Sequence, residues 1–188
     1  TGSIAAFRAC DLVREFRRRG HAVRIVMTRA AEAFVSRMTF EALSGARVAT
    51  HALEQPEEWS VEHISLARWG DVLLVAPATA DVLGKFAHGI AEDFLTTLYL
   101  AYEGTIFVAP AMNPSMWKHA AVRENCETLK KRGVRLLSPS HGIMACGEEG
   151  EGRLAEVEGI VAAVEHGIAK GALAGKRVLV LLTDMTNF

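Results

Sequence analysis

The chain has 188 residues, half of them apolar, and a formal charge of −1. That length suits one domain with a full core and is short for two, and the balanced charge offers no footing for nucleic acid and no solvated acidic arm. Every apolar run is strand-length and broken by Pro, Gly or charge, so neither a membrane span nor a secretory leader is expected.

The start, Thr1-Gly2-Ser3-Ile4 without Met, reads as the interior of a longer sequence. A strand should precede the first helix, and none does. That helix is expected over 4–19, where Ile4, Phe7, Leu12, Val13 and Phe16 form an apolar stripe opposite Arg8, Arg14 and Arg17 to Arg19. Gly20 stops it. A strand rich in β-branched residues follows at 22–27, then a mostly helical stretch at 28–43 ending near Gly45, and a polar loop at 50–60. Next come a short helix at 61–69, an apolar strand at 72–76 closed by Pro77, and one further helix within 83–102. A strand at 105–109 is closed by Pro110, and a helix at 115–132 is stopped by Gly133. A short strand at 134–137, a Gly- and Glu-rich loop at 142–152 and a helix at 155–169 complete the pattern. Past a boundary at 171–175, Lys176-Arg177-Val178-Leu179-Val180 reads as the opening strand of a new unit. Continuous apolar strands between amphipathic helices indicate an α/β fold, a single domain built on a doubly wound parallel sheet, Rossmann-like or flavodoxin-like.

Such sheets bind ligands beyond the carboxyl ends of their strands. Gly2-Ser3 at a helix start suits a phosphate, although an ordinary serine cap is the simpler reading of Ser3 alone. The fingerprint G-x-G-x-x-G is absent, so one phosphate, as on FMN, fits better than a dinucleotide. Thr28 follows the second apolar run. Pro77-Ala78-Thr79 follows the third, where small residues admit a flat ring; a plain strand-to-helix turn is the alternative. After the fourth, Asn113 stands between Pro110 and Pro114, either gripping a ligand carboxylate or amide or simply capping the next helix. His63 can move a proton near neutral pH, though a lone histidine is more often a surface or satisfied residue. Arg68, five residues on, shares no clean helix face with it. The glycines around Cys146 suit a mobile flap, and a thiol there either serves as proton donor or nucleophile or is incidental. The three cysteines, Cys10, Cys126 and Cys146, make no CxxC pair. Cys10 and Cys126 read as packing residues. A reducing, cytoplasmic setting is expected. The histidines lack ligand spacing, so no metal is expected.

Taken in order, these blocks resemble the homo-oligomeric flavin-containing cysteine decarboxylase family over about residues 1–170. The likeness rests on Thr1-Gly2-Ser3-Ile4-Ala5-Ala6, Thr39-Phe40 with Leu43-Ser44-Gly45, and His63-Ile64. It rests further on Ala76-Pro77-Ala78-Thr79-Ala80, Pro110-Ala111-Met112-Asn113 with Met116-Trp117, and Ala145-Cys146-Gly147 with Gly150 and Gly152. Within that family the sequence is most similar to the branch acting on phosphopantothenoylcysteine. The resemblance implies FMN-dependent decarboxylation of 4'-phospho-N-pantothenoylcysteine to 4'-phosphopantetheine in coenzyme A biosynthesis. FMN oxidises the cysteine thiol, carbon dioxide leaves, and the hydride is returned. It implies that His63 assists the oxidative half, that Asn113 holds the substrate carboxylate or amide, and that Cys146 supplies the proton. Gly2, Ser3, Ile4, Thr28, Thr39, Phe40, Pro77, Ala78, Thr79 and Met112 match positions around FMN, and Arg68, Ala145 and Gly147 would meet substrate. Family members build the site between subunits of a trimer, often assembled into a dodecamer. A decarboxylase domain over 1–170 is expected, with 171–188 a linker and the truncated first strand of a ligase domain. Two other readings stay open. A peptidyl-cysteine oxidative decarboxylase would share the FMN site, His63 and Asn113 without needing the cysteine flap. A non-catalytic regulatory homologue would tolerate losing Asn113 or Cys146. A flavin prenyltransferase would not need His63 with the Pro-Ala-Met-Asn block.

Overall fold

The computed structural model describes residues 4–50, 56–143, 147–168 and 175–182. Its strands are β1 (Ala22–Met27), β2 (Val72–Ala78), β3 (Thr105–Pro110), β4 (Arg135–Leu136), β5 (Ser140–Ile143), β6 (Glu149–Arg153) and β7 (Arg177–Leu182). Its helices are α1 (Arg8–Arg18), α2 (Arg37–Ser44), α3 (Pro56–Trp69), α4 (Ala80–His88), α5 (Phe94–Ala101), α6 (Pro114–Lys118), α7 (Ala120–Lys131) and α8 (Val157–Ile168). Five strands make one sheet in the order β1-β7-β2-β3-β4, and every neighbouring pair is parallel.

Apolar runs become strands here because both faces are covered. β2 is buried along its whole length. Successive residues of a strand point to opposite faces, and the two halves of the core follow that alternation. Val178, Val180 and Leu182 join the layer made with α1, α2 and α8, while Leu179 and Leu181 join the layer made with α4, α5 and α7. The doubly wound architecture read from the sequence is the one observed.

Residues 176–180, expected to open a separate unit, belong to β7, which lies in the middle of this sheet. β7 pairs with β1 on one side, Val23 opposite Val178, and with β2 on the other, Leu73 opposite Leu179. Without it, β1 and β2 would face each other across a row of unpaired backbone groups inside the core, which is costly. The expected linker over 171–174 lies outside the described residues.

Other departures are local. The stretch read as mostly helical at 28–43 holds only a 3-10 turn at Ala31–Ala33 before α2. The helix expected within 83–102 is two. Gly89, at φ +68°, ends α4, and Asp93 opens α5 with a capping box in which Thr96 N donates to Asp93 Oδ1 at 2.7 Å. The helix expected at 115–132 breaks at His119, whose extended backbone ends α6 and whose Nδ1 accepts from Ala121 N at 3.2 Å to start α7. The loop expected at 142–152 is largely an antiparallel hairpin, β5 with β6. Its inward positions in β6 are Gly150 and Gly152, flanked by exposed Glu149, Glu151 and Arg153, so a strand-like alternation exists but carries no apolar signal.

An ion pair fastens the entry of β7. The Arg177 guanidinium donates to Asp71 Oδ1 at 2.7 Å, and Arg177 N donates to Oδ2 at 2.9 Å. Hydrogen bonding from Arg177 holds the Asp71 carboxyl below its ordinary value. A carboxylate with a depressed folded pKa stabilises above its unfolded value of about 3.9, and that contribution disappears as pH falls through the folded value. Asp71→Asn is therefore expected to lower the urea midpoint at pH 7, with the gap to the parent closing toward pH 3. A gap that stays constant with acid contradicts this role.

Candidate functional site

Because the main strands are parallel, their carboxyl ends share one edge. Thr28 comes directly after β1, Thr79 directly after β2, and Ala111 to Asn113 directly after β3. Thr28 is 6% exposed and Thr79 1%, so this edge holds two hydroxyls sunk among apolar neighbours. Buried hydroxyls need partners. Thr28 Oγ1 accepts from Ala31 N and Thr79 Oγ1 from Val82 N, each at 3.4 Å. Thr79 stands between Ala78 and Ala80. Ala78 O accepts from Ala111 N at 2.9 Å, which binds the loop after β3 to the end of β2. The Ala76–Pro77 peptide bond is cis.

The hairpin seats on the same loop. Met112 N donates to Gly152 O at 2.9 Å. Gly152 has φ +150°, and a Cβ there would run into the Met112 carbonyl oxygen; one at Gly150 would press on the Pro114 ring. The hairpin thus approaches backbone to backbone, which only glycine allows.

Asn113 is held at both ends of its amide. Its extended backbone (φ −57°, ψ 146°) and Pro114 at the first helical position make it the cap of α6. Its Oδ1 accepts from Ser115 N at 2.8 Å, and its Nδ2 donates to Glu148 Oε2 at 2.6 Å. The cap settles which end is oxygen, so the group turned toward the flap is an N–H donor, suited to a carboxylate or carbonyl.

The remaining expected site residues scatter around this centre. Met112 is buried in the loop. Gly147 is exposed at φ +84°, beside Glu148. Thr39 is exposed on α2, while its neighbour Phe40 is fully buried in the core, so it backs this side of the molecule rather than offering a ligand surface. His63 is half-buried on α3 with its ring edge-to-face on Phe94, centroids 6.4 Å apart. Arg68 is exposed in the last turn of α3, just before the chain enters β2 at the amino edge; the structure does not bring it to the carboxyl edge. Ile4 begins a short 3-10 helix, Ile4–Phe7, ahead of α1. Gly2, Ser3, Ala145 and Cys146 lie outside the described residues. Burial pushes the thiols of Cys10 and Cys126 up, which keeps them protonated and suits packing.

Two participants were not singled out from sequence. Glu148 meets Asn113 across 35 positions of chain, with nothing local to mark it. Gly152 counted only as a flap glycine; its contact with Met112 is tertiary.

Among the described residues no helix is long and apolar enough to cross a membrane. The family profile described as Flavoprotein matches residues 1–169. The coenzyme A biosynthesis bifunctional protein CoaBC of Vibrio cholerae is 43% identical over 180 residues, 96% of this chain and 45% of that protein. Its Bacillus subtilis namesake is 42% identical over 183 residues, with the same coverage. The chain therefore spans less than half the length of these relatives. Among solved structures, a cysteine-to-serine mutant of PPC decarboxylase complexed with pantothenoylaminoethenethiol has a TM-score of 0.77 at 31% identity, covering 88% of this chain and 93% of that one. The FMN binding protein AtHal3 gives 0.76 at 31% identity, covering 91% and 94%. The FMN-dependent cysteine decarboxylase SpaF gives 0.75 at 30%, covering 89% and 93%. With a match over residues 1–169, which hold four of the five strands of the parallel sheet, the chain belongs to the Flavoprotein family.

Proposed function

We propose that this chain carries the FMN-dependent decarboxylation of 4'-phospho-N-pantothenoylcysteine to 4'-phosphopantetheine. One observation carries the reading: a capped asparagine presents a fixed N–H donor at the carboxyl edge, beneath a glycine hairpin that docks on the same loop. A carboxylate substrate needs that donor, and a hairpin over it excludes water.

The edge fits a flavin. Ala78 and Ala111 bring only methyl groups there, and Thr28 and Thr79 bring hydroxyls to the same edge. Gly2, Ser3, Ile4, Thr28, Thr39, Pro77, Ala78, Thr79 and Met112 would hold FMN, with Phe40 packed behind. When bound, FMN supplies reversible acceptance of a hydride, which protein side chains do not offer. Asn113 Nδ2 orients the substrate carboxylate, His63 exchanges the thiol proton through a ring nitrogen, and the Cys146 thiol returns a proton to carbon. Ala145 and Gly147 border the substrate beneath the flap. Arg68 would reach a substrate only on a neighbouring subunit, consistent with a site shared within a trimer, singly or in a dodecamer. The flavin-binding unit is read as 1–170 together with β7, in a cytoplasmic protein.

The test is direct. The purified protein is expected to be yellow, to convert phosphopantothenoylcysteine to phosphopantetheine by mass, and, as Cys146→Ala, to stall at the oxidised enethiol. A yellow protein inert to this substrate but active on a peptide with a carboxyl-terminal cysteine establishes the peptidyl-cysteine reading. A yellow protein inert to both leaves the regulatory homologue. A protein that cannot be reconstituted with FMN ends all three.

A further inference from the structure

The acceptor on the Asn113 amide is itself a carboxylate. Glu148 sits between Gly147 and the first residue of β6, exposed, with its Oε2 at 2.6 Å from Asn113 Nδ2. The amide cannot turn to offer this N–H elsewhere, because Oδ1 is held by Ser115 N at 2.8 Å. The hairpin is therefore joined to the loop after β3 at two points: a backbone bond, Met112 N to Gly152 O, and a charge-assisted side-chain bond, Glu148 to Asn113. The first point is fixed by glycine geometry. The second is exchangeable, since any carboxylate of similar reach satisfies the same donor.

We infer that Glu148 is a positioning residue that stands in for the substrate carboxylate, latching the tip of the flap onto Asn113 in the free chain and surrendering the amide when substrate enters. The inference rests on the proposed decarboxylase reading for the identity of the incoming carboxylate. Two effects follow. Glu148 keeps the amide ordered and its donor satisfied while the site waits. It also competes with substrate for that N–H, which the incoming carboxylate takes by displacing Glu148. A competitor of this kind raises the apparent dissociation constant to the intrinsic one divided by the fraction of molecules in which the donor is free.

The experiment uses the FMN-loaded protein and three variants, Glu148→Ala, Glu148→Gln and, as a control on the neighbouring flap acid, Glu149→Ala. Glu148→Ala is expected to lower KM for phosphopantothenoylcysteine about three- to tenfold with kcat changed less. Glu148→Gln, which keeps an acceptor oxygen but loses the charge, falls between it and the parent, and Glu149→Ala stays at the parent value. Backbone hydrogen exchange in the substrate-free protein is the second readout: residues 147–153 exchange faster in Glu148→Ala and at the parent rate in Glu149→Ala. An unchanged or raised KM in Glu148→Ala with an active parent overturns the stand-in role while leaving the decarboxylase reading intact. Unchanged flap exchange overturns the latch. A parent that does not turn over the substrate removes the hand-over together with that reading, and the exchange result then decides the latch alone.

Discussion

Val180→Asp is expected to abolish folding. Val180 is 0% exposed, pairs with Ile25 on one side and Leu74 on the other, and points into the layer shared with α1, α2 and α8. A carboxyl group there has no donor to meet it and no route to water, because both neighbouring strands and the helices would have to move. Even protonated, it leaves an unpaired polar group in an apolar core, at a cost of several kcal/mol, in addition to the lost valine packing. Against a total stability of about 5–15 kcal/mol, the folded state is lost or nearly so. Circular dichroism during heating gives the answer: no cooperative transition, with protein recovered mainly as aggregate. A variant melting near the parent temperature would mean that β7 does not sit in the sheet in solution.

Gly152→Ala should have the second largest effect, and of a different kind. The alanine methyl meets the Met112 carbonyl oxygen, and φ +150° is a conformation alanine avoids. The hairpin must lift, breaking the bond between Met112 N and Gly152 O and withdrawing Glu148 from Asn113. The five-stranded sheet does not depend on the hairpin, so the melting temperature and yellow colour should stay close to those of the parent. Decarboxylation should fall about 100-fold in kcat/KM, since a misplacement near an ångström costs that much in a site that works by orientation. Steady-state kinetics with a visible spectrum separates the two effects. Undiminished turnover would show that flap docking at Gly152 is irrelevant to the reaction.

The parallel sheet was legible because burial on both faces demands uninterrupted apolar runs, and 72–76 and 105–109 are such runs. Helix breaks were harder. Gly89 and His119 interrupt stretches whose helical propensity otherwise continues, and only the caps formed by Asp93 and by His119 itself decide where the next helix starts. The hairpin was hidden because glycines occupy its buried positions. Residues 176–180 read plainly as a strand, but strand order is set by contacts between distant segments, and nothing within the run names its neighbours. Thr28, Thr79 and Asn113 could be placed at the carboxyl edge because position after a strand is a local property. Phe40 and Thr39 show the limit: the motif marks the pair, while the turn of α2 decides that one is core and the other surface. Glu148 could not be chosen over Glu149 or Glu151 without knowing which acid the turn at Gly147 aims at Asn113.

The central place of β7 also sets a schedule. Its partners, β1 and β2, are synthesised long before it, and register pairs Ala22 with Arg177. The segments that meet in that register lie near opposite ends of the 188 residues. A pairing of such long sequence separation is the slow class of contact in folding. While it is unmade, the edges that β7 covers on β1 and β2 are open to strands of other chains.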